Sequence, residues 1–340
     1  MRSRRRAVLR FALGVAVAAA VFAYALPHIA SYGDVIHELG TISTAWAVAL
    51  GAAALLDVLT AALPWMAVLP QVSFLQALAF TQASTALTTV LPGGAPLGMA
   101  ISFGFLRRLR VDRGGAAFAV AVTGIWSQTM IFLYPLVGAI LVFATGQLST
   151  STAVIAGVSA VAGAAIVGIA VAALRSPTAA LRLGNAAASF VAWVKGIFHR
   201  PPPAWGGESL VRFREERLVL LRRRWAVLTA ATLANQLTAY ITFVFSLRAV
   251  GISSATIPLS EAFLAWALGR VISSLPLTPG GIGVVELGMI GTLVGFGAPN
   301  AHVVAAVLLF RGLVVLPSLV VGAVGLPALR FLAPPEPEPS

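Results

Sequence analysis

Five charged side chains lie inside long apolar stretches of the sequence, where a charge needs a partner. They are Asp57, Glu261, Arg270, Glu286 and Arg311. A charge at the centre of a membrane helix costs on the order of 2.5–3.5 kcal/mol, so an unpaired one is not expected to persist. Two interpretations stay open. Glu286 forms an internal salt bridge with Arg311 or Arg270, or the arginines line a polar cavity where an anionic lipid head group competes for them.

Two Pro-Gly-Gly sequences interrupt apolar stretches and provide a second group of candidates. They comprise Pro92, Gly93 and Gly94, and then Pro279, Gly280 and Gly281, with Gly283 close behind. A helix that starts after such a break directs its free N–H groups and positive dipole end into the membrane core, which favours an anion. A tight turn without a ligand is the simpler alternative. Arg270, Ser273 and Ser274 lie just upstream of the second sequence and strengthen the binding interpretation there.

The predicted substrate-binding set is Pro92, Gly93, Gly94, Arg270, Ser273, Ser274, Pro279, Gly280, Gly281, Gly283, Glu286 and Arg311. Asp57 and Glu261 are candidates for coupling transport to protons, and an uncoupled scramblase is equally compatible. Hydroxyl and amide side chains elsewhere are interpreted mainly as hydrogen bonds between packed helices. They are Thr81, Gln82, Ser84, Thr85, Thr88, Thr89, Gln128, Asn235 and Gln236. We predict no catalytic residue, no metal site and no cofactor, because the histidines are scattered and neither cysteine nor an ATP-binding signature is present.

The composition is that of an integral membrane protein. Of the 340 residues 59% are hydrophobic and 10% charged, and the formal net charge is +12. Soluble chains carry roughly 25% charged residues. Nearly all basic residues lie between apolar runs, so the charge indicates membrane topology and not a nucleic-acid partner.

Long apolar runs predict six full spans, at residues 7–26, 44–69, 115–144, 152–174, 225–250 and 301–326. Each exceeds or matches the roughly 20 residues that a crossing helix needs. The first run also resembles a secretory or twin-arginine signal, but more membrane follows it, so we expect it to be retained. The fold class is therefore an all-α integral membrane protein.

Two further stretches, residues 74–106 and 259–296, are broken in the middle by the Pro-Gly-Gly sequences. Backbone groups freed by such breaks cannot face lipid. We predict two re-entrant helical hairpins. The alternative is four short helices that each cross the membrane, which would leave the sidedness of all other segments unchanged. The two breaks lie in corresponding halves, which predicts an inverted repeat.

Arginine placement predicts the orientation. Basic residues concentrate before the first span and at residues 107–113 and 175–224, whereas residues 27–40, 146–151 and 251–258 contain no Lys or Arg. The positive-inside rule then places both termini in the cytoplasm and the protein in the cytoplasmic membrane.

One polytopic membrane domain is predicted over residues 1–328. Within it, residues 175–224 form a cytoplasmic segment that begins with an amphipathic helix on the inner leaflet. Residues 329–340, rich in proline and glutamate, are predicted to be a disordered tail.

The residues at the two breaks resemble the flippase-like membrane domain of the lysylphosphatidylglycerol synthases. The resemblance rests on LPGG at residues 91–94 and LTPGGIGVVE at residues 277–286, and with the span pattern it covers about residues 7–328. It implies lipid head-group translocation or lipid-linked sugar metabolism. Because the sequence ends at Ser340 without the soluble synthase domain, we expect only the flippase part to carry over.

The preferred function is therefore a lipid flippase or transporter that acts on an anionic or phosphate-bearing head group, with membrane lipids as partners. An alternative is a membrane enzyme or accessory protein of polyprenyl phosphate sugar metabolism, with Asp34 and Glu38 of the first outer loop as candidate carboxylates. A scaffold without transport activity is the third possibility.

Overall fold

The computed structural model describes residues 29–90, 94–144, 150–197, 207–275 and 278–332, and within these ranges it contains helices and no strand. The helices are α1 (Tyr32–Gly40), α2 (Thr44–Thr60), α3 (Leu63–Val68), α4 (Phe74–Val90), α5 (Gly94–Arg108), α6 (Arg113–Phe143), α7 (Thr150–Arg175), α8 (Pro177–Ile197), α9 (Gly207–Ala249), α10 (Leu259–Ser274), α11 (Val284–Gly295) and α12 (Asn300–Leu332). A 3₁₀ turn, Pro279–Gly281, lies between α10 and α11. The predicted all-α fold is confirmed.

Five segments in the described ranges are long and apolar enough to cross a membrane. They are Thr44–Val68, Arg113–Phe143, Ala153–Ala173, Arg223–Ala249 and Asn300–Gly325. Each coincides with one predicted run, and the sixth run, residues 7–26, lies outside the described residues. Large apolar side chains on their outer faces, such as Phe143 with 72% exposure and Val161 with 71%, are placed for contact with lipid. The chain is a multi-pass membrane protein.

The two broken stretches form helical hairpins. Helices α4, α5, α10 and α11 have 17, 15, 16 and 12 residues, which is short for a full crossing. Within each pair the helices run antiparallel in contact, as the 3.0 Å approach of the Ser84 and Ser102 hydroxyls of α4 and α5 illustrates. The membrane depth of the hairpins, and with it the choice between re-entrant and crossing helices, stays a prediction.

The hairpins exchange their packing partners. Helix α4 of the first hairpin lies along α12, the long helix that follows the second hairpin, and α10 of the second lies along α6, which follows the first. The ends of the hairpins also meet, because a Cβ on Gly280 would lie 3.1 Å from the carbonyl oxygen of Thr89. This reciprocal packing is the arrangement an inverted repeat predicts, and the repeat itself stays a prediction.

Small residues allow both exchanged contacts to be close. A Cβ on Gly322 of α12 would lie 2.5 Å from the carbonyl oxygen of Gln82 in α4, and one on Gly138 of α6 would lie 3.0 Å from the Cα of Leu264 in α10. Lipid surroundings supply no hydrophobic driving force between helices, so helices in a membrane associate through close packing of this kind. The hairpins are therefore held by backbone proximity as well as by side chains.

Buried apolar side chains form two main groups. One, among α9 to α12, includes Phe243, Trp266 and Ile290. The other lies at the first hairpin and includes Phe80, Leu106 and Ala116.

The segment 175–224 consists of α8 and the first part of α9, and these two helices pack against each other. Asn185 Oδ1 accepts a hydrogen bond of 2.8 Å from the amide of Gly207, at the start of α9. Helix α9 then continues without a break into a membrane span, as the apolar pattern predicts. At the other end of the chain α12 continues to Leu332, four residues into the predicted tail. The rest of the tail lies outside the described residues.

Candidate functional site

The second glycine-rich loop has a backbone that glycine alone adopts readily. Gly280, Gly281 and Gly283 have φ values of 61°, 69° and 89°, in the left-handed region where a side chain is strained. The hydroxyl of Thr278 donates to the carbonyl oxygen of Ile282 at 2.9 Å and closes the loop. Helix α11 begins directly after Gly283, and Val285 and Glu286 of its first turn are buried.

Glu286 and Arg311 tie this loop to α12. Arg311 Nε donates to Glu286 Oε1 at 2.7 Å, and its second amino group donates to the carbonyl oxygen of Gly280 at 2.9 Å. The other carboxylate oxygen of Glu286 accepts from the amide of Gly283 at 2.6 Å. The internal salt bridge considered from the sequence is therefore present, with Arg311 as the partner of Glu286. Because the carboxylate of Glu286 already caps α11, an external anion would have to displace it to reach these amides.

Arg270 has no such partner. Its Nε is buried without a hydrogen bond, and no carboxylate in the described ranges lies within 4.0 Å of its guanidinium. Asp57 of α2, Tyr134 of α6 and Arg311 of α12 lie within electrostatic range. A desolvated guanidinium that lacks hydrogen bonds is costly, and a ligand that accepts from it would relieve that cost.

Asp57 is part of a polar network between α2 and α9. Thr238 Oγ1 lies 3.2 Å from Asp57 Oδ1 and 2.9 Å from the hydroxyl of Thr60. Asn235 donates to the same Thr60 hydroxyl at 3.3 Å and to the backbone carbonyl of Asp57 at 3.4 Å. These contacts leave Asp57 oriented by neutral hydroxyl and amide groups, within electrostatic range of Arg270.

Three other predicted residues lie in less informative positions. Ser273 and Ser274, in the last turn of α10, donate their hydroxyl protons to the carbonyl oxygens of Arg270 and Val271 at 2.7 Å each. Their hydroxyls can still accept a hydrogen bond but have no free proton. Glu261, in the first turn of α10, is 1% exposed and its Oε2 has no partner in the described ranges.

The first glycine-rich break is only partly described. Pro92 and Gly93 lie outside the described residues, and Gly94 begins α5. Thr89, at the end of α4, marks where this hairpin meets the second loop at Gly280. The structure therefore brings the second loop, Arg270, Glu286 and Arg311 together and places the end of the first hairpin beside them.

A cavity of about 330 Å³, whose largely apolar wall carries many hydroxyl and amide groups, lies between the first hairpin and helices α2, α3, α6 and α9. Its hydroxyl and amide lining consists of Thr81, Ser84, Thr85, Thr88, Ser102, Thr123, Ser127, Gln128, Thr232, Asn235 and Gln236. No charged side chain of the described ranges lines it. Seven of these residues were interpreted above as helix-packing groups, and their convergence on one space was not predicted. The spacing of Thr81, Ser84, Thr85 and Thr88 on one face of α4 was the available signal.

The two candidate carboxylates of the enzyme alternative, Asp34 and Glu38, lie on α1. Glu38 Oε2 is 3.3 Å from Nε2 of His302 at the start of α12, and the amide of Asp34 is capped by the Ser31 hydroxyl. In the described part of the chain, no group of three or more His, Asp or Glu side chains is arranged to hold a metal ion. The two carboxylates thus do not come together with the residues of the cluster around Arg270.

Comparison with known families is consistent with the membrane architecture. A family model described as the lysylphosphatidylglycerol synthase TM region matches residues 11–322, which is nearly the whole chain. No curated protein gives a significant match. The family match includes both hairpins, the cluster around Arg270, four of the candidate spans and nearly all of the fifth.

Proposed function

The chain belongs to the family of the lysylphosphatidylglycerol synthase TM region, and we propose that it moves an anionic, phosphate-bearing lipid head group across the cytoplasmic membrane. The family indicates a function connected with membrane lipids. The translocation step, the membrane and the cytoplasmic placement of both termini are parts of the proposal. Its substrates and partners would be lipids of the two leaflets.

The observation that carries the proposal is the unpartnered guanidinium of Arg270. It lies on α10 within electrostatic range of Arg311, which is bonded to the glycine loop, and its Nε is buried with no described carboxylate within 4.0 Å of the guanidinium. A planar guanidinium matches the oxygens of a phosphate through paired hydrogen bonds. A phosphate bound there would supply the counter-charge and the acceptors that the protein itself does not.

Arg311 and Glu286 have a different role in this proposal. Their pair, together with the bonds to Gly280 and Gly283, fixes the loop beside Arg270. A lipid phosphate that approaches Arg270 would also come within the electrostatic field of Arg311. The proposal therefore includes a step in which Arg311 exchanges part of its interaction with Glu286 for one with the phosphate. Asp57 lies within electrostatic range of Arg270 and is the candidate that couples the cycle to protons, with uncoupled scrambling as the alternative.

The proposal describes a transporter and not an enzyme. The cluster holds an arginine, an occupied ion pair and backbone amides, which suit reversible binding of an anion. The candidate carboxylates of the enzyme alternative, Asp34 and Glu38, lie on α1, and Glu38 is already paired with His302. Nothing in their geometry favours bond chemistry over a structural contact.

Leaflet exchange in liposomes tests the proposal. Phosphatidylglycerol with a dithionite-reducible fluorophore on one acyl chain keeps its native head group and reports its leaflet. Liposomes that contain the protein should lose nearly all fluorescence on addition of dithionite, because inner-leaflet lipid reaches the outside, whereas protein-free liposomes should lose about half. The proposal would be contradicted if liposomes that contain the protein also lost only about half of their fluorescence, for every phospholipid class tried.

A further inference from the structure

The hydrogen-bond surroundings of Asp57 in α2 suit a neutral carboxylic acid. A buried carboxylate is normally stabilised by N–H donors or by an ion pair. Glu286 has this arrangement, since its two oxygens accept from Arg311 Nε at 2.7 Å and from the Gly283 amide at 2.6 Å. In the described ranges no N–H group donates to the side chain of Asp57. Its one hydrogen-bonding contact there is with the hydroxyl of Thr238, at 3.2 Å.

The hydroxyl protons beside Asp57 are directed to backbone carbonyl groups. Thr238 donates to the carbonyl oxygen of Asn235 at 2.7 Å, and Thr60 donates to that of Leu56 at 2.8 Å. Each hydroxyl has one proton, so these shortest bonds leave none for the contacts of Thr238 with Thr60 and with Asp57. A proton on Asp57 provides one of the missing donors, because a carboxylic acid can donate to a lone pair of the Thr238 oxygen.

The helices packed against α2 bring few ionisable groups near this network. Asp57 is the only ionisable residue of α2, and α3 and α4 have none. On α9 the guanidinium of Arg248 and the hydroxyl of Tyr240 donate to carbonyl oxygens near the junction with α10. The earlier charges of α9 end at Arg224, about 21 Å along the axis from the hydroxyl that contacts Asp57. On α12, His302 lies 3.3 Å from a carboxylate of α1.

Arg270 of α10 is the charged group whose field reaches Asp57. Arg311 of α12 is paired with Glu286, and the phenol of Tyr134, within electrostatic range of Arg270, is neutral near pH 7. While Arg270 has no ligand, its positive charge favours the ionised form of Asp57. A bound anion cancels that charge and adds a negative one, which favours the neutral acid. The protonation of Asp57 and the occupancy of Arg270 are therefore coupled.

We propose that Asp57 is a proton-binding site that takes up one proton when an anion occupies Arg270. The inference rests on the proposed function, which provides the anion, and adds the ion that accompanies it. A head group whose only charge is that of a phosphodiester, together with one proton, carries no net charge. A pH difference across the membrane, and not the membrane potential, would then drive the movement of such a lipid.

The pH dependence of binding tests this inference separately from transport. Purified full-length protein in detergent is titrated with dihexanoyl phosphatidylglycerol between about pH 5 and pH 9, and tryptophan fluorescence reports binding. The phosphodiester keeps its single charge over this range, so a change in affinity reports groups of the protein. The dissociation constant of wild type should be constant at low pH. It should then rise about tenfold per pH unit once Asp57 is ionised in the free protein.

Asp57→Asn fixes a neutral side chain whose amide can donate to Thr238 as the carboxylic acid does. This variant should bind with the low-pH affinity of wild type at every pH. Glu261→Gln is the matched control, because it removes another buried carboxyl group, in the first turn of α10. The control should retain the full dependence on pH.

Thr238→Val is a second variant, and it keeps the carboxyl group of Asp57. It removes the oxygen that accepts from the neutral acid, so Asp57 should lose its proton more readily. The rise in the dissociation constant should therefore begin at a lower pH than in wild type. A rise that begins at a higher pH would mean that the hydroxyl donates to a carboxylate, which contradicts the inference.

A wild-type dissociation constant that does not change with pH, or a dependence on pH that survives Asp57→Asn, would overturn the inference. Absence of binding at every pH would overturn it as well, because Arg270 would then receive no phosphate. Failure of the proposed function alone looks different. In that case no lipid exchanges between the leaflets, while the dependence on pH and its loss in Asp57→Asn are still observed.

Discussion

Arg270 and Arg311 lie in the same polar interior but differ in how their charges are compensated. Arg311 donates to a carboxylate at 2.7 Å and to a backbone carbonyl at 2.9 Å. Arg270 has a buried Nε with no partner in the described ranges. Removing one member of a satisfied buried pair is costly, whereas removing an uncompensated buried charge relieves desolvation. The two arginines should therefore respond to substitution in opposite ways.

The first prediction concerns stability. Arg270→Met replaces the guanidinium by an apolar chain of comparable length, so the thermal unfolding temperature in detergent should stay within a few degrees of wild type or rise. Differential scanning fluorimetry of the purified variants measures this. A large decrease would mean that Arg270 is a structural residue whose partner the protein itself supplies.

The second prediction concerns Glu286. Glu286→Gln keeps an oxygen that can accept from Gly283 or Arg311, so the folded yield should remain near wild type while the rate of lipid exchange changes. Glu286→Ala strands Arg311 and the Gly283 amide and should destabilise the fold by about 3 kcal/mol. Size-exclusion yield and unfolding temperature distinguish the two variants.

A purely structural pair would give another pattern. Lipid exchange by the Glu286→Gln variant would then proceed at the wild-type rate. In addition, Glu286→Ala and Arg311→Ala would lose yield equally, and the double variant without either charge would recover it.

At the scale of the helices, the exchanged packing of the two hairpins depends on close backbone contacts. Gly322 of α12 faces the carbonyl oxygen of Gln82 in α4, and Gly325 faces that of Ala79 one turn away. Gln82 also donates to the carbonyl oxygen of Val58 at 3.0 Å and so joins α4 to α2. A displacement of α4 would therefore disturb α2, which carries Asp57.

The third prediction tests this contact. Gly322→Val places a branched side chain where a Cβ alone would lie 2.5 Å from the Gln82 oxygen, and overpacking of this kind costs about 1–3 kcal/mol. The unfolding temperature should fall clearly. Gly312→Ala in the same helix is the control, since the nearest atom to its Cβ would be 4.0 Å away. Equal stability of the two variants would show that α4 and α12 are not in close contact.

Apolar length and backbone breakers were sufficient to predict the helices. Five predicted spans agree with the structure because a run of some 20 apolar residues has few alternatives to a membrane helix. The hairpins were predictable because a proline followed directly by two glycines strongly disfavours an uninterrupted helix. The cavity was not predictable in the same way. Its lining comes from helices far apart in the chain, and a single threonine or glutamine in an apolar helix is equally consistent with helix packing.

The sequence also left the ion pair undecided between two arginines. Glu286 is 16 residues from Arg270 and 25 from Arg311, and both distances are compatible with a hairpin. The three-dimensional path of α12 past the glycine loop decides in favour of Arg311. That path cannot be derived from helical periodicity within either segment.

At the scale of the whole molecule, the account depends on an orientation that arginine placement predicts. Ser254 lies in the turn between α9 and α10, is exposed, and belongs to a segment without Lys or Arg. The fourth prediction is that Ser254→Cys reacts with a membrane-impermeant maleimide added outside intact cells. The native chain has no cysteine, so the label is specific. If the Ser254→Cys variant reacts only after the cell membrane is permeabilised, the predicted orientation is wrong.

In the part of the chain that the structure describes, the interior contains the uncompensated Arg270, the Glu286–Arg311 ion pair and an uncharged cavity beside the first hairpin. Such an interior offers a head group an environment that the hydrocarbon core does not. The rate of lipid exchange between the leaflets should therefore depend on Arg270 more than on any basic residue at the surface.

The most direct test of the central claim is the rate of phosphatidylglycerol exchange in liposomes that contain wild type, Arg270→Ala, Arg270→Lys or the control Arg108→Ala. Arg108 is an exposed residue in the last turn of α5. Arg270→Ala should slow exchange at least tenfold, Arg270→Lys should retain part of the rate because the charge remains, and Arg108→Ala should match wild type. Exchange by a well-folded Arg270→Ala variant at the wild-type rate would contradict the account.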